Sequence, residues 1–217
     1  MFKRTRIKVC GITEKADVIH AVEAGVDALG FIFAEGSPRR VDPEKAKELL
    51  KSVPPFVEAV GVFVNEDPDL VTDIVKYCGL TMVQLHGSEP VDYCQLMPVR
   101  VLKAFAVRSD TDASELDTYA DTVAGYLLDT YHKDMAGGTG QPFDWQLVKD
   151  LQVPGPVFLA GGLGPDNVGE AIRVVHPFAV DVNSGVETEP GLKDHEKISE
   201  LIRQVQRVDG AMAEALT

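Results

Sequence analysis

Short runs of β-branched and apolar residues alternate along the chain with stretches whose apolar positions recur three and four residues apart. The short runs are Arg6–Cys10, Asp27–Phe33, Val57–Val64, Met82–His86, Val101–Ala106, Tyr126–Asp129, Val157–Ala160 and Ala179–Val182. The stretches with helical spacing are Glu14–Ala24, Pro43–Ser52, Pro68–Tyr77, Pro90–Met97, Ala113–Ala120, Trp145–Asp150, Pro165–Val175 and Lys193–Val208. Strands alternating strictly with helices predict βαβ units and a parallel sheet. Such a sheet is covered on both faces, so its strands read as nearly continuous apolar runs. Val57-Glu-Ala-Val-Gly-Val-Phe-Val fits, with one glutamate near its start.

Local punctuation agrees with the periodicity. Asp42-Pro43 and Asp67-Pro68 place a capping acceptor before proline at the first helical position. Gly164-Pro165 is a weaker start of the same kind, and Asp144 is placed to cap a helix beginning at Trp145. Gly25 follows the first helical stretch, where a left-handed residue is expected. Val18, Ala21, Val22 and Gly25 share one face suited to packing on a sheet. Eight βα units predict a (β/α)8 TIM barrel in the α/β class, with an open doubly wound sheet as the alternative. No linker-like or low-complexity run divides residues 1–217, which read as one domain. The segment after about residue 208 reads as a frayed tail or an extension of the last helix.

Composition narrows the partners. The 217 residues carry a net charge of −13, which disfavours general nucleic-acid binding and adsorption to an anionic membrane surface. An anionic small molecule is still allowed, because a local arginine and backbone N–H groups bind it against the global charge. Cys10, Cys78 and Cys94 are odd in number and widely spaced, with no CxxC pair for zinc. Reduced thiols in the cytoplasm are the simple reading. The basic N-terminus lacks the apolar stretch of a secretory signal, and no run is long enough to span a membrane. A monomer is expected rather than a homodimer, for want of an exposed apolar stripe.

In a barrel of this class the chemistry sits at the C-terminal strand ends. Gly137, Gly138, Gly140, Gly161, Gly162, Gly164 and Gly185 all fall in the loops after strands 6, 7 and 8. Clustered glycines let backbone amides approach a ligand, and the last two loops are the usual phosphate site of the fold. Ser184–Thr188 reads as the short extra helix of that site. Cys10 ends strand 1, as a base in its thiolate form or as a core cysteine. Asp129 ends strand 6, as a shielded general acid or as a solvated carboxylate. Arg39 lies in a loop from which its guanidinium can bind a carboxylate. His86 reads as a pocket residue or a satisfied structural histidine. Asp181 can orient a substrate amine or another side chain.

Taken in order, several motifs resemble the phosphoribosylanthranilate isomerase family of tryptophan biosynthesis. They are Lys8-Val-Cys-Gly-Ile-Thr13, Gly30-Phe-Ile-Phe33 with Ser37-Pro-Arg39, Gly61-Val-Phe-Val-Asn65, Val83-Gln-Leu-His-Gly87 and Leu128-Asp129. Gly137-Gly-Thr-Gly140 with Phe143-Asp-Trp145, Ala160-Gly-Gly-Leu163, and Asp181-Val-Asn-Ser-Gly-Val-Glu187 complete the set. The resemblance covers almost the whole chain. It implies an Amadori rearrangement of N-(5-phosphoribosyl)anthranilate to 1-(2-carboxyphenylamino)-1-deoxyribulose 5-phosphate, with no metal and no organic cofactor. It matches Cys10 to the general base and Asp129 to the general acid, with the thiol ionised and the carboxyl protonated. It matches Arg39 to the residue that binds the anthranilate carboxylate; His86 and Asp181 are substrate-binding candidates by their own positions. It matches Gly138, Gly140, Gly161, Gly162, Ser184 and Gly185 to the phosphate-binding backbone. Asn183 departs from the serine of the family motif.

Three other readings share the fold. The histidine-pathway phosphoribosyl isomerase would carry an aspartate as base on strand 1, where this chain has Cys10. Indole-3-glycerol phosphate synthase would need a catalytic lysine, for which Lys103 is the candidate, and a set of glutamates. A phosphate-ligand-binding barrel without turnover would be expected to lack Cys10 or Asp129.

Overall fold

The structure is a computed structural model that describes residues 4–129 and 145–215. Eight parallel strands close into a barrel: β1 (Arg6–Val9), β2 (Ala28–Ile32), β3 (Glu58–Phe63), β4 (Met82–Leu85), β5 (Arg100–Ala106), β6 (Gly125–Asp129), β7 (Val157–Ala160) and β8 (Ala179–Val182). The helices follow one by one: α1 (Lys15–Ala24), α2 (Pro43–Leu50), α3 (Pro68–Cys78), α4 (Val91–Gln95), α5 (Ala113–Asp117), α6 (Gln146–Asp150), α7 (Val168–Val175) and α8 (His195–Glu214). This is the expected TIM barrel, and the open sheet is excluded because β1 pairs with β8.

Strand residues point alternately into the barrel and out toward the helices. Ala28, Val60, Met82, Leu102, Ala104, Leu127 and Ala160 fill the lower interior as one buried cluster. Cys10, Ile32 and Val62 form the layer above it. The larger core lies outside the barrel, where residues such as Val9, Leu29, Phe31, Phe63, Leu85 and Leu159 meet the helices. On α8 the buried stripe is Ile198, Leu201, Ile202, Val205 and Val208. Each fully buried side chain of this size contributes about 1.5–3 kcal/mol.

The caps form as their residue types require. The Asp42 side chain accepts from Lys45 N at 2.7 Å, and the Asp67 side chain accepts from Asp69 N and Leu70 N. Gly25 takes the left-handed conformation at φ 100° and donates its N–H to Ala21 O and Val22 O. Asp144 lies outside the described residues.

Several boundaries differ from the sequence pattern, and α2, α4 and α5 each end two or three residues early, at Leu50, Gln95 and Asp117. Helix α7 starts at Val168 rather than Pro165, because Asn167 Oδ1 accepts from Gly164 N and closes a turn first. A 3₁₀ turn, Ser184–Val186, follows β8 as expected, but it leads into an unexpected hairpin of β9 (Glu187–Glu189) and β10 (Leu192–Lys193). Lys193 is therefore a strand residue, and Asp194 caps α8 by accepting from Glu196 N and Lys197 N. The stretch after Val208 continues α8 through Gly210 to Glu214. No described helix is long and apolar enough to cross a membrane.

Candidate active site

A cavity of about 390 Å³ opens at the C-terminal end of the barrel. Cys10 and Asp129 stand in its wall together with Arg39, His86 and Asp181. Gly161, Gly162 and Ser184, from the loops after β7 and β8, line it as well. The sequence-predicted residues within the described segments thus converge, although they come from six different strands and their loops. Gly137, Gly138 and Gly140 lie outside the described residues.

Gly185 stands just behind the cavity wall. A side chain there would run into the backbone of Leu163, and one at Gly164 would meet Gly185 O at 3.2 Å. Glycine at these two positions is therefore what lets the loops after β7 and β8 pack backbone to backbone. Gly161 and Gly162 add left-handed conformations, at φ 98° and 64°, that glycine adopts without strain.

Cys10 is 4% exposed and sits against Ile32 and Val62. The depressed thiol expected of an ionised base is not found. Burial pushes the Cys10 thiol above its ordinary value, against the pull of the Lys8 and Lys193 ammonium groups. Lys8 lies two residues back on the same face of β1. Parallel register sets Lys8 opposite Asp181, and its Nζ donates to Asp181 Oδ1 at 2.8 Å with both groups buried. Asp181 thus holds the Lys8 side chain while also lining the cavity. The Gly30 position is crowded by the same pair: a Cβ there would lie 2.7 Å from Cys10 Sγ and 3.1 Å from Lys8 Nζ.

Arg39 reaches the cavity from the loop after β2 and is already held. Its Nε donates to Glu187 Oε1 at 2.9 Å and its Nη2 to Glu187 Oε2 at 2.7 Å. Lys193, fully buried, donates to Glu187 Oε1 at 2.8 Å and to Asn183 Oδ1 at 3.0 Å. Asn183, the departure from the family motif, is thus a partner of this network. Burial raises the Glu187 carboxyl, but hydrogen bonds from Arg39 and Lys193 outweigh it and hold the group below the ordinary glutamate value.

On the far side Asp129 is 27% exposed, and His86 Nε2 lies 3.5 Å from its Oδ2. Gln84 Nε2 donates to His86 Nδ1 at 2.8 Å. With the amide N–H donated to Nδ1, the ring proton is on Nε2, on the side of Asp129. The buried Gln84 Oε1 has no hydrogen-bond partner among the described residues, and the side chain lines the cavity. Lys103, by contrast, points out of the barrel. Its Nζ meets Glu89 Oε2 at 3.1 Å and donates to Gly87 O at 2.7 Å, so it braces loops instead of facing the cavity.

Sequence reasoning missed Gln84, Glu187 and Lys193 as members of this site. Gln84 alone carried a signal, since period-two alternation puts it on the same strand face as His86.

A family model described as N-(5'-phosphoribosyl)anthranilate (PRA) isomerase matches residues 7–204. The chain belongs to that family. The N-(5'-phosphoribosyl)anthranilate isomerase of Trichlorobacter lovleyi is 51% identical over 203 residues, covering 93% of this chain and 98% of that protein. The crystal structure of phosphoribosyl anthranilate isomerase from Thermotoga maritima superposes with a TM-score of 0.86 at 43% identity, covering 94% of this chain and 99% of that one. A further phosphoribosyl anthranilate isomerase structure, in complex with reduced 1-(o-carboxyphenylamino)-1-deoxyribulose 5-phosphate, matches with a TM-score of 0.82 at 41% identity. It covers 94% of this chain and 99% of that chain. These isomerase likenesses settle the choice among the barrel enzymes, and the outward Lys103 agrees.

Proposed function

We propose that the chain performs the family's Amadori rearrangement of N-(5-phosphoribosyl)anthranilate with Cys10 as general base and Asp129 as general acid. The observation that carries the assignment is their placement on opposite walls of one cavity, at the ends of β1 and β6. Asp129 gives its proton to the furanose ring oxygen as the C1–O bond breaks, and the nitrogen lone pair forms an iminium at C1. The iminium acidifies the C2 proton, and the Cys10 thiolate removes it. The resulting enolamine tautomerises to the aminoketose. One acid and one base suffice, and no group is consumed.

A thiolate in so dry a wall is favoured by fixed cations, and Lys8 and Lys193 supply them. His86, its tautomer set by Gln84, holds the Asp129 carboxyl toward the cavity. Arg39 takes the anthranilate carboxylate, and Asp181 acts beside the substrate by holding Lys8. The backbone of Gly161, Gly162, Ser184 and Gly185 receives the phosphate, with Gly138 and Gly140 from the loop after β6. The complex of a relative with a reduced carboxyphenylamino-deoxyribulose phosphate supports a phosphorylated ligand of this class.

The chain works in the cytoplasm as one domain and as a monomer. Sedimentation tests the last point. The activity is tested by loss of anthranilate fluorescence with the substrate generated in situ. Wild type should consume it rapidly, and Cys10→Ala and Asp129→Asn should each lower the rate by roughly 10²-fold or more. Little effect of either change would overturn the acid–base assignment. A folded wild type without activity would favour a barrel that binds phosphate ligands without turning them over.

A further inference from the structure

A guanidinium that recognises a carboxylate needs two things: a fixed direction and a surplus of positive charge. Glu187 supplies the first. It takes the Nε and Nη2 edge of Arg39, and Nη1 has no hydrogen-bond partner among the described residues. Paired with Glu187 alone, however, Arg39 would present no net charge to an incoming anion. Lys193 changes the count. It is buried against the same carboxylate, at 2.8 Å from Oε1, and two cations then share one anion. The hairpin is tied down around them, since Gly191 N donates to Glu187 Oε1 and Thr13 Oγ1 donates to Gly191 O.

We infer that Glu187 and Lys193 are positioning residues: Glu187 aims Arg39 into the cavity, and Lys193 offsets the charge of Glu187 so that Arg39 still attracts a carboxylate. The inference rests on the reading of Arg39 as the carboxylate binder. It deepens that reading by assigning substrate selectivity to a pair that need not touch the substrate. The buried ion pair is worth keeping only because both its charges are hydrogen-bonded, and the surplus charge faces the one cavity where an anionic ring substituent would enter.

The test compares two substrates made in situ, the phosphoribosyl adducts of anthranilate and of aniline, which differ only in the carboxyl group. Both are followed by formation of the aminoketose. Wild type should show a KM lower for the carboxylate by about tenfold or more, the scale of one charge-assisted hydrogen bond. In Lys193→Met the Arg39–Glu187 pair is neutral overall, so this preference should collapse, with the change in KM exceeding that in kcat. In Lys193→Met combined with Glu187→Gln the single charge on Arg39 returns, and the preference should return in part. A purely structural role predicts that the double variant is the worst of the set.

Wild type that takes both substrates alike would overturn the role of Arg39 itself. Wild type that discriminates, with discrimination unchanged in Lys193→Met, would overturn the charge balance alone. Should Lys193→Met fail to fold by circular dichroism, the double variant decides: retained preference supports the proposal, and lost preference overturns it.

Discussion

The two walls that carry Cys10 and Asp129 are built differently. Around Cys10 the charges are buried and paired, Lys8 with Asp181, and Arg39 and Lys193 with Glu187. Around Asp129 the wall is more open among the described residues. His86 is 35% exposed, and a second cavity of about 850 Å³ adjoins the same two side chains. A base that must carry negative charge in an apolar layer needs fixed cations, and each buried cation needs an anion beside it. Asp129, the proposed acid, is half-buried, and His86 Nε2 lies 3.5 Å from its Oδ2. Damage to the closed wall should therefore appear first in stability and in the pH profile, and damage to the open wall in turnover alone.

The largest effect is expected from Lys8→Met, which leaves Asp181 buried without its cation. Loss of one partner of a buried pair costs about 3–5 kcal/mol, readable as a lower urea midpoint. Adding Asp181→Asn should recover most of that loss, and a double variant as unstable as the single would show that the pair is not its source. The same double variant sharpens the pH argument. Burial raises the Cys10 thiol, Lys8 lowers it, and Asp181 raises it by less than Lys8 lowers it. Removing both should move the acidic limb of kcat/KM to higher pH, because the base then ionises later. A limb that stays in place would separate it from Cys10.

Gly30→Ala should come next. Its new methyl would press on Cys10 Sγ and on the Cys10 backbone, at 3.1 Å from Cα, where nothing can give. Overpacking of this kind costs about 1–3 kcal/mol, and the rate should fall with it. A variant of wild-type stability and activity would mean that the closed wall is looser than its contacts imply.

The smallest effect on stability is expected from His86→Asn. The pair with Asp129 is partly exposed, and such pairs contribute about 0–1 kcal/mol. Turnover should still fall on the order of tenfold, the equivalent of about 1.4 kcal/mol of lost orientation in the transition state. If the urea midpoint dropped as far as in Gly30→Ala, the contrast between the walls would fail.

Much of this was legible before the fold was known. Aspartate before proline gave the starts of α2 and α3, and apolar periodicity gave every barrel strand to within one or two residues. Strand ends and the loop after β2 offered Cys10, Asp129 and Arg39, which the fold brings to one cavity. The start of α7 was misplaced because proline after glycine reads as a helix start, whereas the Asn167 side chain held a turn there first. The hairpin of β9 and β10 was hidden because its few residues precede a strong helical pattern, and Lys193 was read as part of that pattern. In the sequence Glu187 stands only as the end of a motif. Its partner Arg39 is 148 positions away, and nothing local marks the pair.

Local chemistry determined the alternation of strands and helices, most of the caps, the count of eight βα units and the glycines that let the last loops touch. It could not say which lysine belongs to the site. Lys8 and Lys103 both interrupt apolar strands and both are buried. One points inward beneath Cys10, and the other points outward to brace loops against Glu89. A barrel strand is covered by side chains within and by helices without, so apolar patterning is the same on both faces. Only closure and register decided it, by setting β1 against β8 and so Lys8 against an aspartate 173 residues away.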